Sequence, residues 1–269
     1  MADSSCEKNL LRILKEMDSV AVCFSGGVDS TLLSAAVQRA LPEGKFVLFH
    51  VVSEMLPHRE HEFAIDWASK NNLPLRLLKL DPLNNEDVVK NDQLRCYYCK
   101  KVIMQAVSDA AAAAGLKWVA DGSNLDDLDD YRPGSQASKE LGIRHPFIEA
   151  GFNKEMIRDL SRKWQLPNYE APAAACLASR IPYGTSLDTG KLKMIDQAEE
   201  FLQDLGFSGC RVRLQGESDA RIELAMSDLT KAAVFSSKIT EKLKSFGFEN
   251  VLLDLSGYRR GGGFNPKQH

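Results

Sequence analysis

Three groups of residues in this 269-residue chain have types and spacings that could do chemistry. The first is Ser25-Gly26-Gly27-Val28-Asp29-Ser30, which follows the apolar run Val20 to Phe24. It opens a segment in which Val28, Leu32, Leu33, Ala36, Val37 and Leu41 recur at helical spacing, so the local reading is strand, tight glycine turn, helix N-terminus. Two glycines let backbone curl around an anion, and the unpaired N–H groups of a first helical turn point at it. Ser25 and Ser30 add hydroxyl donors, and Asp29 is of the type that faces magnesium, directly or through water. No lysine follows the glycines, so the G-x-x-x-x-G-K-[ST] form is absent. The competing reading is an ordinary glycine turn that caps a buried strand–helix unit.

The second group is Arg95-Cys96-Tyr97-Tyr98-Cys99-Lys100-Lys101. Its C-x-x-C is flanked by positive charge, which favours thiolates, and thiolates bind metals and attack electrophiles. A zinc site would want four ligands, and no second pair stands at matching spacing. The third group is Cys176, four residues before Arg180 in a segment without clear periodicity: a loop thiol beside a cation suits a nucleophile or sulfur carrier. If Cys176 comes near Cys96 and Cys99, three cysteines suit an iron–sulfur cluster with one open iron. Redox or catalytic thiols, or plain packing, remain alternatives for the pair, and a structural role remains one for Cys176. Cys23 in the first strand and Cys210 at a strand entrance read as core thiols, and Cys6 is terminal.

These groups need a scaffold. Lys45 to Val52 is a continuous apolar run, as in a parallel strand covered on both faces. Helices are expected over 5–17, 28–41, 59–71 and 154–164, with a further alanine-rich helix ending at Gly115. Strands are expected at 75–80, behind Pro74, and at Trp118 to Ala120, whose exit loop carries Gly122, Ser123 and Asn124. Helices alternating with buried strands mean a doubly wound, mostly parallel α/β sheet, with ligands beyond the carboxyl ends of its strands. The acidic cluster Asp126, Asp127, Asp129 and Asp130 either holds magnesium or is a solvated turn.

A boundary is placed near 170, giving domains 1–170 and 171–269. Beyond it a pattern occurs twice: a helix ending in Leu205-Gly206-Phe207 feeds the strand Arg211 to Leu214, and one ending in Phe246-Gly247-Phe248 feeds Val251 to Leu255. Both glycines stand where a helix end needs positive φ. With Ala220 to Met226 as a further strand, this part is a second, smaller α+β domain that serves the first or builds an oligomer interface.

A formal net charge of -3 exerts no overall pull toward nucleic acid, so an RNA partner would need a local basic face. No basic-apolar leader opens the chain and no run approaches the roughly 18 apolar residues of a membrane span. The expectation is a soluble protein of the cytoplasm or an organelle matrix, with no membrane partner. Six cysteines without a secretion signal read as thiols or metal ligands, not a disulfide framework.

The glycine loop resembles the pyrophosphate loop (PP-loop) of the N-type ATP pyrophosphatases, which cleave ATP to AMP and pyrophosphate and leave a substrate oxygen adenylated. Together with Arg95 to Lys100, Gly122-Ser123-Asn124-Leu125-Asp126-Asp127, Ala175-Cys176-Leu177-Ala178-Ser179-Arg180-Ile181-Pro182-Tyr183-Gly184, Arg211-Val212-Arg213 and Ala220 to Glu223, the chain is similar over nearly its whole length to the LarE family. Those ATP-dependent sulfurtransferases make the pincer nucleotide cofactor of nickel enzymes such as lactate racemase. The resemblance implies ATP and Mg2+ at Ser25, Gly26, Gly27, Asp29, Ser30, Gly122, Asn124 and Asp127. It implies that a carboxylate of pyridinium-3,5-biscarboxylic acid mononucleotide is adenylated and becomes a thiocarboxylate. It further implies that sulfur comes from a [4Fe-4S] cluster on Cys96, Cys99 and Cys176, the favoured route because all three cysteines are present, or is sacrificed from Cys176.

The resemblance also implies that Arg211, Arg213 and Arg180 grip substrate phosphate or carboxylates. Alternatively Arg211 and Arg213, two apart, share the exposed face of one strand. Glu199 is a candidate acid or base, although helix-surface carboxylates are usually only solvated. The partners implied are the small pyridinium mononucleotide, further copies in a homo-oligomer, and a downstream nickel-insertion protein, with no nucleic acid. Two other readings stand: another adenylating enzyme, either a tRNA thiolase or an ammonia-using amidotransferase, and a module that holds ATP without turnover.

Overall fold

A computed structural model describes residues 4–128, 133–172 and 175–258. Asp129 and Asp130 of the acidic cluster, and Ala173 and Ala174 at the expected boundary, lie outside them. In chain order the elements are α1 (Ser4–Met17), β1 (Val20–Cys23), α2 (Val28–Ala40), β2 (Phe46–Val52), α3 (His58–Lys70), β3 (Leu75–Lys79), α4 (Glu86–Val89), α5 (Arg95–Ala113), β4 (Trp118–Ala120), α6 (Pro133–Glu140), α7 (Pro146–Ala150) and α8 (Lys154–Lys163). They continue with α9 (Thr189–Asp204), β5 (Arg211–Gln215), β6 (Asp219–Glu223), α10 (Leu229–Val234), α11 (Ser236–Ser245) and β7 (Val251–Leu253).

The chain divides into two compact units, 1–53 with 59–82 and 94–174, and 54–58 with 83–93 and 175–269. In the first, a four-stranded sheet runs in the order β3-β2-β1-β4 with every pairing parallel. Alternation along the strands decides which helix covers each face. Val20, Val22, Phe46 and Leu48 join the apolar cluster built with Leu10, Leu14, Leu32, Leu33 and Val37 of α1 and α2. Ala21 and Phe49 point the other way, onto Val107 and Ala111 of α5. This is the doubly wound sheet expected, and because β1 lies between β2 and β4 the strand order reverses beside it. The glycine loop leaves β1 at that reversal, where open α/β sheets bind ligands.

β3 differs from the buried strand expected. It is the sheet edge, and Arg76, Leu77 and Lys79 are exposed. Helices α4, α6 and α7 have no counterpart in the periodicity; the four to eight residues of each are too few to establish an amphipathic repeat.

The second unit carries the sheet β5-β6-β7, antiparallel between β5 and β6 and parallel between β6 and β7. Leu192, Ile195, Ala198 and Leu202 form the buried stripe of α9. Gly206 and Gly247 sit past helix ends at φ +82° and +114°. β6 stops at Glu223 instead of reaching Met226, which opens a 3-10 turn. Segments 54–58 and 83–93 belong here because their backbones brace the chain after Cys176. Met55 O accepts from Leu177 N (2.8 Å), Val89 O from Leu187 N (2.9 Å) and Asn91 O from Gly184 N (3.0 Å).

Candidate functional site

In the first unit the glycine loop folds back on itself through its own hydroxyls. Ser30 Oγ lies 3.1 Å from Ser25 Oγ and donates to Gly27 O at 3.1 Å, while Ser25 N donates to Ser30 Oγ at 3.3 Å. Gly26 takes φ +84°, a conformation costly for any residue with a Cβ. Gly27 caps α2 without a side chain, so no cap side chain takes up the first-turn amides, groups of the kind that receive phosphate at a helix N-terminus. Gly122 packs against the start of α2 from the β4 side. A Cβ there would lie 3.0 Å from Asp29 Cβ and 3.1 Å from Ser30 N, so only glycine allows this approach.

Asp29 faces a lysine in place of a cation from solvent. Lys154 Nζ, on the first residue of α8, stands 2.7 and 2.6 Å from its two carboxylate oxygens. Asn124 and Asp127 form a reciprocal cap, with Asn124 Oδ1 accepting from Asp126 N and Asp127 Oδ2 from Asn124 N. Asp126 Oδ2 accepts from Lys154 N. These carboxylates therefore shape the turn that delivers Lys154. Among the described residues no group of three or more His, Cys, Asp or Glu side chains is gathered as a metal site.

Cys96 and Cys99 do not merely lead into the alanine-rich helix. Cys96 lies in the first turn of α5 and Cys99 about one turn later, with Arg95 Nη2 3.6 Å from Cys96 Sγ. The next residue, Lys100, reaches Asp121 Oδ2 at 2.8 Å, and His145 Nδ1 lies 2.7 Å from Asp121 Oδ1. Burial works against the Asp121 charge, but Lys100 and His145 outweigh it and hold this carboxyl well below the usual range. Burial pushes the nearby Cys23 thiol up to about 11, as expected of a core thiol.

In the second unit Cys176 caps a short 3-10 turn, Leu177–Arg180. Arg180 is buried and turns inward. Its guanidinium meets both Glu199 oxygens at 2.9 Å and donates to the carbonyls of Ala175 (2.7 Å) and Cys176 (3.1 Å). Burial disfavours the Arg180 charge, but Glu199 more than restores it. Glu199, on the buried face of α9, also accepts from Val212 N at 2.9 Å. Arg211 and Arg213 are buried too, contrary to the exposed-face alternative. Arg211 donates to Cys210 O (2.8 Å), and Arg213 to Glu223 Oε1 (2.7 Å) and Ser179 O (2.9 Å). Burial pushes the Cys210 thiol up to about 12.

Across 263 residues, 97% of each chain, the sequence is 36% identical to an uncharacterized protein of Synechocystis sp.. Across 252 residues, 94% of this chain and 91% of the other, it is 34% identical to the pyridinium-3,5-bisthiocarboxylic acid mononucleotide synthase of Lactiplantibacillus plantarum. The chain belongs to the LarE family. A weaker similarity, 28% over 122 residues and 44% of this chain, is to a tRNA-cytidine(32) 2-sulfurtransferase of Alkalilimnicola ehrlichii. No family model matches the sequence. This LarE member is an ATP-dependent sulfurtransferase with a PP-loop.

The fold of this LarE chain brings Ser25, Gly26, Gly27, Asp29, Ser30 and Gly122 together at the turn between β1 and α2 in the first unit. It gathers Arg180, Glu199, Arg211 and Arg213 around β5 in the second. Cys96 and Cys99 belong to the first unit and Cys176 to the second. Three residues in these surroundings escaped the sequence reading. Lys154 meets Asp29 from 125 residues away. Asn168 donates to Gly26 O at 2.9 Å. Asn91, fully buried at φ +53°, donates to Pro182 O (2.8 Å) and Thr185 O (2.9 Å) and so holds the turn beyond Arg180. Only the last carried a signal: an asparagine before Asp92 at a helix end is a frequent left-handed residue.

Proposed function

We propose that this LarE member uses MgATP to adenylate a carboxylate of pyridinium-3,5-biscarboxylic acid mononucleotide and then converts it to a thiocarboxylate. The observation that carries the reading is the near full-length similarity to the Lactiplantibacillus plantarum synthase. A carboxylate is a poor electrophile until its oxygen becomes a good leaving group. Its oxygen attacks the α-phosphorus, pyrophosphate leaves, and a sulfur nucleophile then displaces AMP from the acyl carbon. The first-turn amides of α2 and the hydroxyls of Ser25 and Ser30 receive the phosphates. Asp29 would hold the magnesium that accompanies the nucleotide, and Lys154, which meets that carboxylate in its absence, would be free to bind a phosphate oxygen.

For the sulfur, Cys96 and Cys99 suit two ligands of a [4Fe-4S] cluster, being thiols one turn apart at a helix start beside Arg95. Cys176 is the third ligand in this reading, and the cluster would supply a transferable sulfide on its open iron. The alternative donor is the sulfur of Cys176 itself. Arg180 holds the carbonyls on either side of the Ala175–Cys176 link and so sets the thiol's position, while Arg211 and Arg213 supply cationic ground for the mononucleotide's acidic groups.

The test is incubation of anaerobically purified protein with MgATP, a sulfide source and the biscarboxylate mononucleotide. Formation of AMP, pyrophosphate and a product in which oxygen is replaced by sulfur supports the reading. ATP cleavage that requires tRNA or ammonia and ignores the mononucleotide would overturn it.

A further inference from the structure

Beneath the glycine loop runs a line of hydrogen bonds that the sulfur chemistry does not use. His50, fully buried on β2, has Nδ1 2.7 Å from the carbonyl of Phe24, the residue before the loop. Its Nε2 lies 2.7 Å from Nδ1 of His61 on α3, and His61 Nε2 lies 3.2 Å from the carbonyl of Ser53 past the end of β2. The two rings stand at 88° to each other with centroids 4.9 Å apart.

Proton counting decides what this line contains. A carbonyl oxygen only accepts, so both outer nitrogens must carry hydrogen. The two inner nitrogens need one more between them. That makes three hydrogens, whereas two neutral imidazoles carry two. A neutral pair would leave a carbonyl facing a lone pair, or two lone pairs facing each other, a cost that is greatest at the fully buried His50. Burial presses His50 toward its neutral form, with His61 acting in the same direction and the Phe24 carbonyl opposing.

Other contacts join the same elements. A Cβ on Gly26 would lie 3.0 Å from Glu60 O and 3.4 Å from Ala64 Cβ, so α3 packs directly on the loop next to His61. The ionisable residues beside His61 along α3 are His58, Arg59, Glu60 and Glu62; the segment after β2 offers the Ser53 carbonyl, and the Phe24 ring, just past β1, packs on His50.

We propose that His50 and His61 share three ring hydrogens and one positive charge, and that this pair is a positioning clamp for the phosphate-binding loop, fastening Phe24 to Ser53. The proposal rests on the nucleotide reading of the loop. When the third hydrogen leaves at higher pH, one fastening is lost and anion affinity falls.

Ring nitrogen-15 shifts of the full chain at about pH 6 test the count without any variant. Three ring hydrogens across the two imidazoles, with hydrogen on both His50 Nδ1 and His61 Nε2, are expected; two neutral rings would overturn the proposal. Calorimetric affinity for the magnesium complex of α,β-methylene-ATP, from about pH 6 to about pH 8.5, tests the clamp. It is read against His61→Gln, whose amide donates to His50 but does not titrate, so that the nucleotide's own titration cancels. The native chain is expected to lose about tenfold in affinity relative to the variant over that range, as for loss of one charge-assisted hydrogen bond. Parallel curves with binding intact would overturn the clamp alone, and absence of binding at every pH would overturn it together with the nucleotide reading.

Discussion

Lys154 Nζ and the Asp29 carboxylate face each other at 2.6 and 2.7 Å across the mouth of the glycine loop. Both side chains are partly exposed, so the pair can part at little cost when a stronger partner arrives. Lys154→Met is expected to weaken the magnesium complex of a non-hydrolysable ATP analogue by about tenfold, or about 1.4 kcal/mol, the loss of one charge-assisted contact. Calorimetry reads it. Unchanged affinity would leave Lys154 as a partner of Asp29 only.

The buried Arg180–Glu199 pair predicts an asymmetric stability cycle. Glu199→Leu strands a guanidinium in the interior and is expected to cost about 3–5 kcal/mol. Adding Arg180→Met to it should restore part of that loss, because the guanidinium that directly faced Glu199 is removed with it. Denaturant unfolding of the single and double variants measures both values. Additive losses would mean that the two side chains stabilise the unit independently.

The cysteines should divide by reactivity. Burial pushes Cys23 up to about 11 and Cys210 up to about 12, so both are expected to resist iodoacetamide at neutral pH in the folded chain. Peptide mass mapping after a timed exposure checks this; early labelling of Cys23 would mean that its strand opens readily.

Asp121 links stability to pH with a definite sign. Its folded carboxyl is held below the ordinary 3.8, so its contribution is complete above about pH 3.8 and is lost as pH falls toward the depressed value. Acid titration of the unfolding free energy should therefore be shallower below about pH 4 in Asp121→Asn than in the native chain. Equal slopes would remove Asp121 from the acid response.

The sulfur route is read from iron. Protein purified without oxygen should hold about four irons with matching acid-labile sulfide, and Cys96→Ser should lose them, if a three-cysteine cluster forms. An iron-free native chain, even after reconstitution, would point to Cys176 as donor, with loss of the elements of hydrogen sulfide from its peptide.

The parts of the site that were legible in the sequence are those made by neighbours along the chain. The glycine loop needs six consecutive residues, and the strands that bury two faces are continuous apolar runs, so both were readable. Arg211 and Arg213 were readable as sharing a face, but that the face is buried depends on Glu223, paired opposite Arg211 on β6. Lys154 and Asn168 were hidden for the same reason: each completes its geometry with a residue more than a hundred positions away. The inward orientation of Glu199 follows from the stripe on α9, where it stands four residues after Ile195 and three before Leu202 and so falls on the buried side.

The chain around Cys176 is fastened by other atoms than its sulfur: Arg180 holds the carbonyls of Ala175 and Cys176, Met55 takes the amide of Leu177, and Asn91 pins the turn at Pro182 and Thr185. A chain that had surrendered its sulfur would thus keep the shape of a fresh one. Spent and unspent molecules would compete for the same substrate, and a cell relying on sacrifice would need to clear or recharge the exhausted population, a burden that a refillable carrier avoids.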